Sequence, residues 1–269
     1  MKSLLVSAFT LCSLGAAQNV IEPLPAQGRE GLQPRAIQLQ GVEWVVPELI
    51  LGGEWTTSIR LTNEGNFNIP TTNVYFKDNN GNPMNATFQT SSGQVVTGAG
   101  FSFSLGIGGI VEGTFLGGSA VQFGQAFIGC SSNGCGTPGL YGEVQLTNHN
   151  ATRPDFQSVF PLEMPATGQY MLFEGRNGFT TTLYVANAGI VPTTVNMAVY
   201  DVNANLVANV PIALPASGSQ ILTLHVIAPQ TIGIQGTLSF TSSQTVTITG
   251  LRIDPSNSFT PLRTFIPHP

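Results

Sequence analysis

The chain has 269 residues, a formal net charge of −5 and only 9% charged side chains. This acidic balance, without any cluster of lysine and arginine, argues against nucleic acid as a partner. The length is enough for two hydrophobic cores of ordinary domain size. So few charges predict a surface covered mainly by Ser, Thr, Asn and Gln.

The N-terminal segment has the features of a secretory signal peptide. A positive charge precedes an apolar run, residues 4–17, that ends in small residues suited to signal peptidase. The run is shorter than the roughly 20 residues that cross a bilayer, and no second long apolar run follows, so we expect no transmembrane segment. Lipidation at Cys12 is disfavoured because Leu11 is not small. We therefore predict a secreted, periplasmic or cell-surface protein, with residues 18–41 as a poorly packed leader.

One segment of the chain occurs twice. Residues 53–63, GEWTTSIRLTN, return as residues 177–187, NGFTTTLYVAN, and VYFKD at 74–78 matches MAVYD at 197–201. In the longer segment apolar and polar side chains alternate, which is the pattern of a β-strand with one buried face. An internal repeat of this kind predicts two copies of one all-β module in tandem.

Further short strands and turns indicate β-sandwich domains. Strands are predicted at residues 195–201, 220–226, 234–240 and 245–253, and turns at residues 79–82, 215–218 and 242–244. Short strands at this spacing are typical of a sandwich or barrel. We predict an all-β fold of two tandem antiparallel β-sandwich domains, residues 42–163 and 164–269.

The first copy is longer than the second. Trp55 and Phe156 are 101 positions apart, whereas the matching Phe179 and Phe259 are 80 apart. We place most of the extra residues in the Gly-rich stretch between Phe101 and Cys135. Within it, residues 101–110 alternate Phe, Leu and Ile with Ser and Gly, which suits either an edge strand open to strand addition or a hairpin covered by its own module.

Two cysteines remain after the predicted cleavage site. Cys130 and Cys135 flank an Asn-Gly turn signal, and in an exported protein such a pair is expected to be oxidised. We therefore predict a disulfide. A zinc site would need four ligands, with His149 as the nearest third candidate, and a redox pair usually has Cys-x-x-Cys spacing.

The sequence carries no recognisable catalytic set. It lacks the Gly-x-Ser-x-Gly and His-Glu-x-x-His motifs. Of its histidines, His149 lies in a predicted loop, His225 lies in a predicted strand and His268 is the penultimate residue. We predict that the protein is not an enzyme. The alternative is a dispersed site in a cleft lined by carboxylates or His149.

Equivalent polar residues in the two copies indicate structural roles. Asp78 and Asp201 each end a strand, so we expect turn-forming hydrogen bonds, and Asn63 and Asn187 are expected to tie neighbouring loops. No cofactor is predicted. The alternative for this turn is a weak calcium site, because Asp78, Asn80 and Asn82 place oxygen ligands at alternate positions, although the later bidentate glutamate of a calcium loop is absent.

Aromatic residues outside the repeat are candidates for ligand binding. Trp44, Tyr141 and Tyr170 are not needed to explain the strand pattern and could form a stacking platform for sugars.

The segments WTTSIRLTN, VYFKDNNGNP, RPDFQSV and GLRI resemble tandem immunoglobulin- or fibronectin-like β-sandwich repeat modules of exported bacterial proteins, over about residues 42–265. The resemblance implies a sandwich fold without an assigned activity. We expect a non-enzymatic structural or adhesion-type module at the cell envelope or outside the cell, with a protein or polysaccharide partner. The alternatives are a carbohydrate-binding protein and a subunit that assembles by edge-strand addition.

Overall fold

The computed structural model describes residues 21–23, 42–130, 139–152 and 154–266. These residues form an all-β fold in which every described strand pair is antiparallel. The strands are β1 (Glu22–Pro23), β2 (Val42–Leu51), β3 (Trp55–Asn63), β4 (Ile69–Asp78), β5 (Ala86–Thr90), β6 (Val95–Gly98), β7 (Gly100–Leu105), β8 (Ile110–Leu116), β9 (Gln122–Cys130), β10 (Leu140–Asn148), β11 (Phe156–Pro161), β12 (Ala166–Glu174), β13 (Thr180–Asn187), β14 (Thr193–Asp201), β15 (Leu206–Leu214), β16 (Ser219–Thr223), β17 (Gln235–Ile253), β18 (Phe259–Leu262) and β19 (Thr264–Phe265). A helical turn, α1 (Leu224–Ile227), and a 3-10 turn (Pro229–Thr231) interrupt them.

The N-terminal half, residues 42–163, contains two sheets that face each other. Their strand orders are β1-β7-β4-β9-β2 and β11-β10-β3-β8-β5-β6. Side chains from both sheets form one hydrophobic core that includes five phenylalanines, with the rings of Phe88 and Phe101 stacked 4.7 Å apart and Phe76 and Phe115 in edge contact. The arrangement is sandwich-like, as the alternating pattern predicts.

The C-terminal half, residues 164–266, is organised around β17. The first part of this 19-residue strand lies between β12 and β14, and its last part lies between β13 and β18. The predicted turn at residues 242–244 is therefore wrong. The chain stays extended there as it passes from its pairing with β12 and β14 to its pairing with β13 and β18. The strands predicted at residues 234–240 and 245–253 are therefore one continuous strand.

The predicted strand at residues 220–226 ends early. β16 stops at Thr223, and Leu224–Ile227 form α1, so His225 lies in a helical turn. In this short turn Leu224 is buried, and its carbonyl accepts the backbone N–H of Ala228 at 2.8 Å. Burial of one leucine thus outweighs the β propensity of the segment.

The extra residues of the first half lie elsewhere than predicted. After β14 the chain enters its sheet partner β15 directly, whereas after β4 it first makes the β5–β6 hairpin and only then enters the partner strand β7. This hairpin lies upstream of Phe101. The stretch 101–110 supplies β7 of one sheet and the start of β8 of the other, and Phe101, Phe103 and Leu105 are buried. It is part of the core and not a free flap.

Part of the predicted leader belongs to the fold. Glu22 and Pro23 pair with Ser102 and Phe101 on the outer edge of β7. Ile21 is buried, and its backbone N–H and carbonyl both contact the side-chain amide of Gln94. The Gln94 amide thus satisfies both backbone groups of Ile21, and the pairing of β1 covers part of the edge of β7.

Several predictions concern residues outside the described part of the chain. They are the signal peptide at residues 1–17, the rest of the leader, His268, and the disulfide, because Cys135 and the side chain of Cys130 are not described. None of the helices in the described ranges has the length and apolar character needed to cross a bilayer.

Candidate functional site

Asn63 ends β3 with its side chain buried and ties together two loops. Its Nδ2 donates to the carbonyls of Phe67 at 2.8 Å and Gly106 at 3.0 Å, and its Oδ1 accepts the N–H of Gly65 at 3.0 Å. The expectation that this amide ties a neighbouring loop is confirmed.

Asn187 ends β13 in the same way. Its Nδ2 donates to the carbonyls of Val191 at 2.8 Å and Pro215 at 2.9 Å, and its Oδ1 accepts the N–H of Gly189 at 2.9 Å. In each half, one asparagine amide therefore binds both the loop that directly follows it and a second, more distant loop. The two pairs of loops are held by the same set of hydrogen bonds.

The aspartates at the strand ends form turns. Asp78 Oδ1 accepts the backbone N–H groups of Asn80 at 2.9 Å and Asn82 at 2.8 Å, and Oδ2 accepts from the Asn82 side chain at 3.2 Å. Asp201 makes the same bonds with Asn203 and Asn205. The turn prediction is confirmed. These bonds occupy the carboxylate and favour the turn role over calcium binding; among the described residues, no three His, Cys, Asp or Glu side chains gather in a metal-binding group.

His149 takes part in an exposed polar cluster. Its Nδ1 lies 2.7 Å from Asp155 Oδ2 and its Nε2 lies 3.0 Å from Thr56 Oγ1. The order hydroxyl, imidazole, carboxylate is that of a catalytic triad, but catalysis also needs a cleft and donors for an oxyanion. The cluster is about half exposed and lines none of the three cavities in the described structure.

The three candidate aromatic residues do not form one platform. Trp44 is half-buried and packs against the core of the N-terminal half. Tyr141 of β10 and Tyr170 of β12 are exposed, but they belong to different sheets in different halves. Of the three, only Tyr170 lines a cavity described here.

The outer face of the β2-β9-β4 sheet is covered by the C-terminal half. Val45 and Phe127 are neighbours on this face and are both 0% exposed, because Ala186 and Ala188 pack against them. Gln125, also buried, donates its side-chain amide to the carbonyl of Ser217. We call this contact between the two halves the junction.

Within the described ranges, no segment covers the corresponding face of the C-terminal half. Gly236 pairs with Asp201 as Gly124 pairs with Asp78, so the two glycines occupy equivalent positions in the two halves. Counting along the paired strands from these glycines places Tyr170 at the position equivalent to Val45. Tyr170 is 41% exposed and Leu172 is 60% exposed. With Tyr200, Thr237 and Ser239 they line an open groove of about 660 Å³, which we call the open face. An exposed apolar surface rimmed by polar groups marks a site of interaction.

A buried carboxyl lies at the junction. Glu48 of β2 is 5% exposed and faces Tyr184 of β13. Burial raises the pKa of Glu48 well above its ordinary value, and the Tyr184 hydroxyl opposes this effect only in part. Burial, followed by the charge of Glu48, likewise raises the pKa of Tyr184. The environment between the two halves therefore favours the protonated carboxyl more strongly than water does.

Sequence reasoning missed Glu48 and the two equivalent glycines, Gly124 and Gly236. Glu48 stands in the apolar run of β2 with no local mark of a buried role. Gly124 and Gly236 do carry a signal, because a glycine inside a strand pattern indicates close approach of another backbone. A Cβ on Gly236 would lie 1.9 Å from the carbonyl oxygen of Tyr200.

Comparison with known proteins adds little to this geometry. No protein-family model and no curated protein matches the chain. Among solved structures, the chain is similar to the apo form of Pleurotus ostreatus lectin at 12% identity, over 86% of this chain and 85% of the lectin, with a TM-score of 0.17. A TM-score of this size carries no argument about fold or ligand.

Proposed function

We propose that this protein is a non-enzymatic structural or interaction module, made of two tandem immunoglobulin-like sandwiches, that binds a macromolecular partner through the open face. The observation that carries the proposal is the contrast between Val45, buried at the junction, and the matching Tyr170, which is exposed. In a tandem array, the neighbouring module covers this sheet face of the first module. The same face of the last module has no such neighbour and is available to another molecule.

The surroundings of the open face favour binding over chemistry. Its groove contains hydroxyl groups and apolar surface, and the one carboxylate in its lining, Asp201, is engaged in a turn. The His149 cluster lies outside this groove. We place the protein in the secreted, periplasmic or cell-surface compartment, as the signal segment and the low charge suggest.

A binding assay on the purified protein tests the proposal. We expect saturable pelleting with cell envelopes that Leu172→Asp abolishes, because a buried unpaired charge opposes docking. Val95→Asp, at an equally exposed apolar residue of the N-terminal half, is the matched control and should bind as wild type. Binding that survives Leu172→Asp, or hydrolysis that is lost in His149→Ala, contradicts the proposal.

Carbohydrate binding is the second candidate. It is favoured by the combination of two tyrosines, Tyr170 and Tyr200, with the hydroxyls of Thr237 and Ser239 in one open groove, since sugars stack on aromatic rings and bond to hydroxyl groups. Pelleting with an insoluble polysaccharide that Tyr170→Ala abolishes and Tyr141→Ala leaves unchanged would support it. Equal loss in both variants, or no pelleting at all, would count against it.

A further inference from the structure

The junction shows what fits the sheet face of this fold. Two loops of the C-terminal half, residues 188–191 and 215–218, together with Ser219, sit on the N-terminal half. The backbone N–H of Ser219 donates to the carbonyl of Asn79 at 3.0 Å, and its hydroxyl bonds the Asn79 side chain at 3.1 Å. The junction thus has a loop side and a face side.

The N-terminal half has the same loop side, and it is exposed. Asn63 and Asn187 make equivalent bonds to their second loops: the backbone N–H of Asn63 donates to the carbonyl of Gly109 at 2.9 Å, and that of Asn187 donates to the carbonyl of Gly218 at 2.8 Å. Gly108, at φ +70°, occupies the place of Ser217, at φ +49°.

Residues 64–68 and 106–109 therefore form a second copy of the docking loops, which we call the loop end. Its outermost apolar side chains are Ile107, 64% exposed, and Phe67, 37% exposed. Nothing in the described structure contacts this end in the way that the C-terminal loops contact the junction.

The face side is likewise repeated and free in the C-terminal half. Tyr170 takes the place of Val45, and Val202, which is 64% exposed, takes the place of Asn79 in the turn. At the junction Asn79 bonds to Ser219, whereas at the open face the position of Asn79 is occupied by the apolar Val202. The two free ends of the molecule thus both expose apolar groups.

We propose that the open face binds the loop end of a second copy of this chain, so that the molecules join head to tail. This inference rests on the proposed function and names its partner. Burial of Ile107 and Phe67 against Leu172, Tyr170 and Val202 would remove apolar surface from water. Because the two surfaces differ, the contact is heterologous, and each added molecule presents a new free face and a new free loop end.

The proposed contact between molecules differs from the junction at the turn that the incoming loop meets. At the junction, Gly81 lies so close to Ala216 that a Cβ on Gly81 would be 2.1 Å from the Ala216 carbonyl oxygen. The corresponding residue of the open face is Ala204, which carries that Cβ at φ +62°. The incoming loop must sit farther from the turn, so side chains dominate the contact. The junction is also favoured by the covalent link between its halves, which the contact between molecules lacks.

Sedimentation velocity of the purified full chain tests the proposal. We expect the weight-average sedimentation coefficient to rise with concentration without a limit at the dimer. Leu172→Asp destroys the face and Ile107→Asp destroys the loop end, so each variant alone should remain monomeric. An equimolar mixture should form a dimer that grows no further, since each partner still has one intact surface. Val95→Asp should assemble as wild type, and melting curves confirm that each variant is folded.

Each other result has a defined meaning. A monomer at all concentrations overturns the inference. Assembly of Ile107→Asp as wild type, with loss in Leu172→Asp, indicates a symmetric face-to-face dimer and also overturns it. If the wild type is monomeric while Leu172→Asp abolishes pelleting with envelopes, the inference falls and the proposed function stands. If both the pelleting and the assembly are insensitive to Leu172→Asp, both fall.

Discussion

The carboxyl group of Glu48 is buried against the hydroxyl of Tyr184, and the two residues come from opposite halves of the chain. Removing a carboxyl from water disfavours its charged form, so the folded protein retains a proton that the unfolded chain releases. The stability of the junction is thus expected to depend on pH.

We predict that the free energy of unfolding decreases as pH rises above the ordinary glutamate value of 4.5. Over that range the folded state binds more protons than the unfolded state, and stability then falls with pH up to the raised pKa of Glu48. Glu163, whose pKa burial raises to about 7, adds to the same slope. Urea unfolding over a pH series measures it. Glu48→Gln should flatten the dependence, whereas Glu112→Gln, at an exposed position, should not; an unchanged slope in Glu48→Gln contradicts the assignment.

Asn63→Ala and Asn187→Ala should each be strongly destabilising. Either change leaves loop carbonyls, most of them partly buried, without their donors. The cost is roughly 1–3 kcal/mol for each group left unsatisfied. Denaturant unfolding measures the loss. Asn209→Ala, at an exposed position, is the control and should stay within about 0.5 kcal/mol of wild type. A cost as small as that of the control would show that water replaces the amide.

Gly236→Ala should cost more than an ordinary surface substitution, because the new Cβ would lie 1.9 Å from the Tyr200 carbonyl oxygen. Relief requires the strands β14 and β17 to separate, and we expect a loss of roughly 2–4 kcal/mol. Gly118→Ala is the matched control, since a Cβ there meets nothing within 4 Å. Equal melting temperatures for the two variants would refute the close approach.

Gly81→Ala and Ala204→Gly should have opposite effects on stability. Gly81 has φ +83° and lies against the Ala216 carbonyl, so a methyl group there adds backbone strain and a clash at the junction. Ala204 already bears its methyl at positive φ, and glycine should relieve about 1 kcal/mol of strain. Thermal unfolding checks both. Destabilisation by Ala204→Gly would mean that chain entropy outweighs the strain.

Much of the fold follows from local sequence. The alternation of Thr57, Ile59 and Leu61 predicts β3 and its buried side, and the Asp78 turn follows from its Asx pattern. These predictions succeed because each depends on neighbours within a few residues along the chain.

What the sequence did not indicate depends on contacts between distant segments. On β13 the side chains of Tyr184 and Ala186 are buried on the face that alternation assigns to solvent, because the N-terminal half covers it. The open face is likewise defined by the strand register of the whole fold and by no pattern within β12. No local pattern distinguishes a sheet face that is covered from one that is free.

The path of β17 has a consequence for the order of events during synthesis. This strand pairs with β12, β13, β14 and β18, and three of these four partners precede it in the chain. As the polypeptide emerges, β12 and β14 lack this neighbour until the first part of β17 is made, and β13 lacks it until Ile253 is made. In the N-terminal half, β9 and β10 are separate and arrive by residue 148. The first half can thus complete its sheets strand by strand, whereas the second half can form the β13–β16 and β14–β15 pairs early but joins them only when β17 is made.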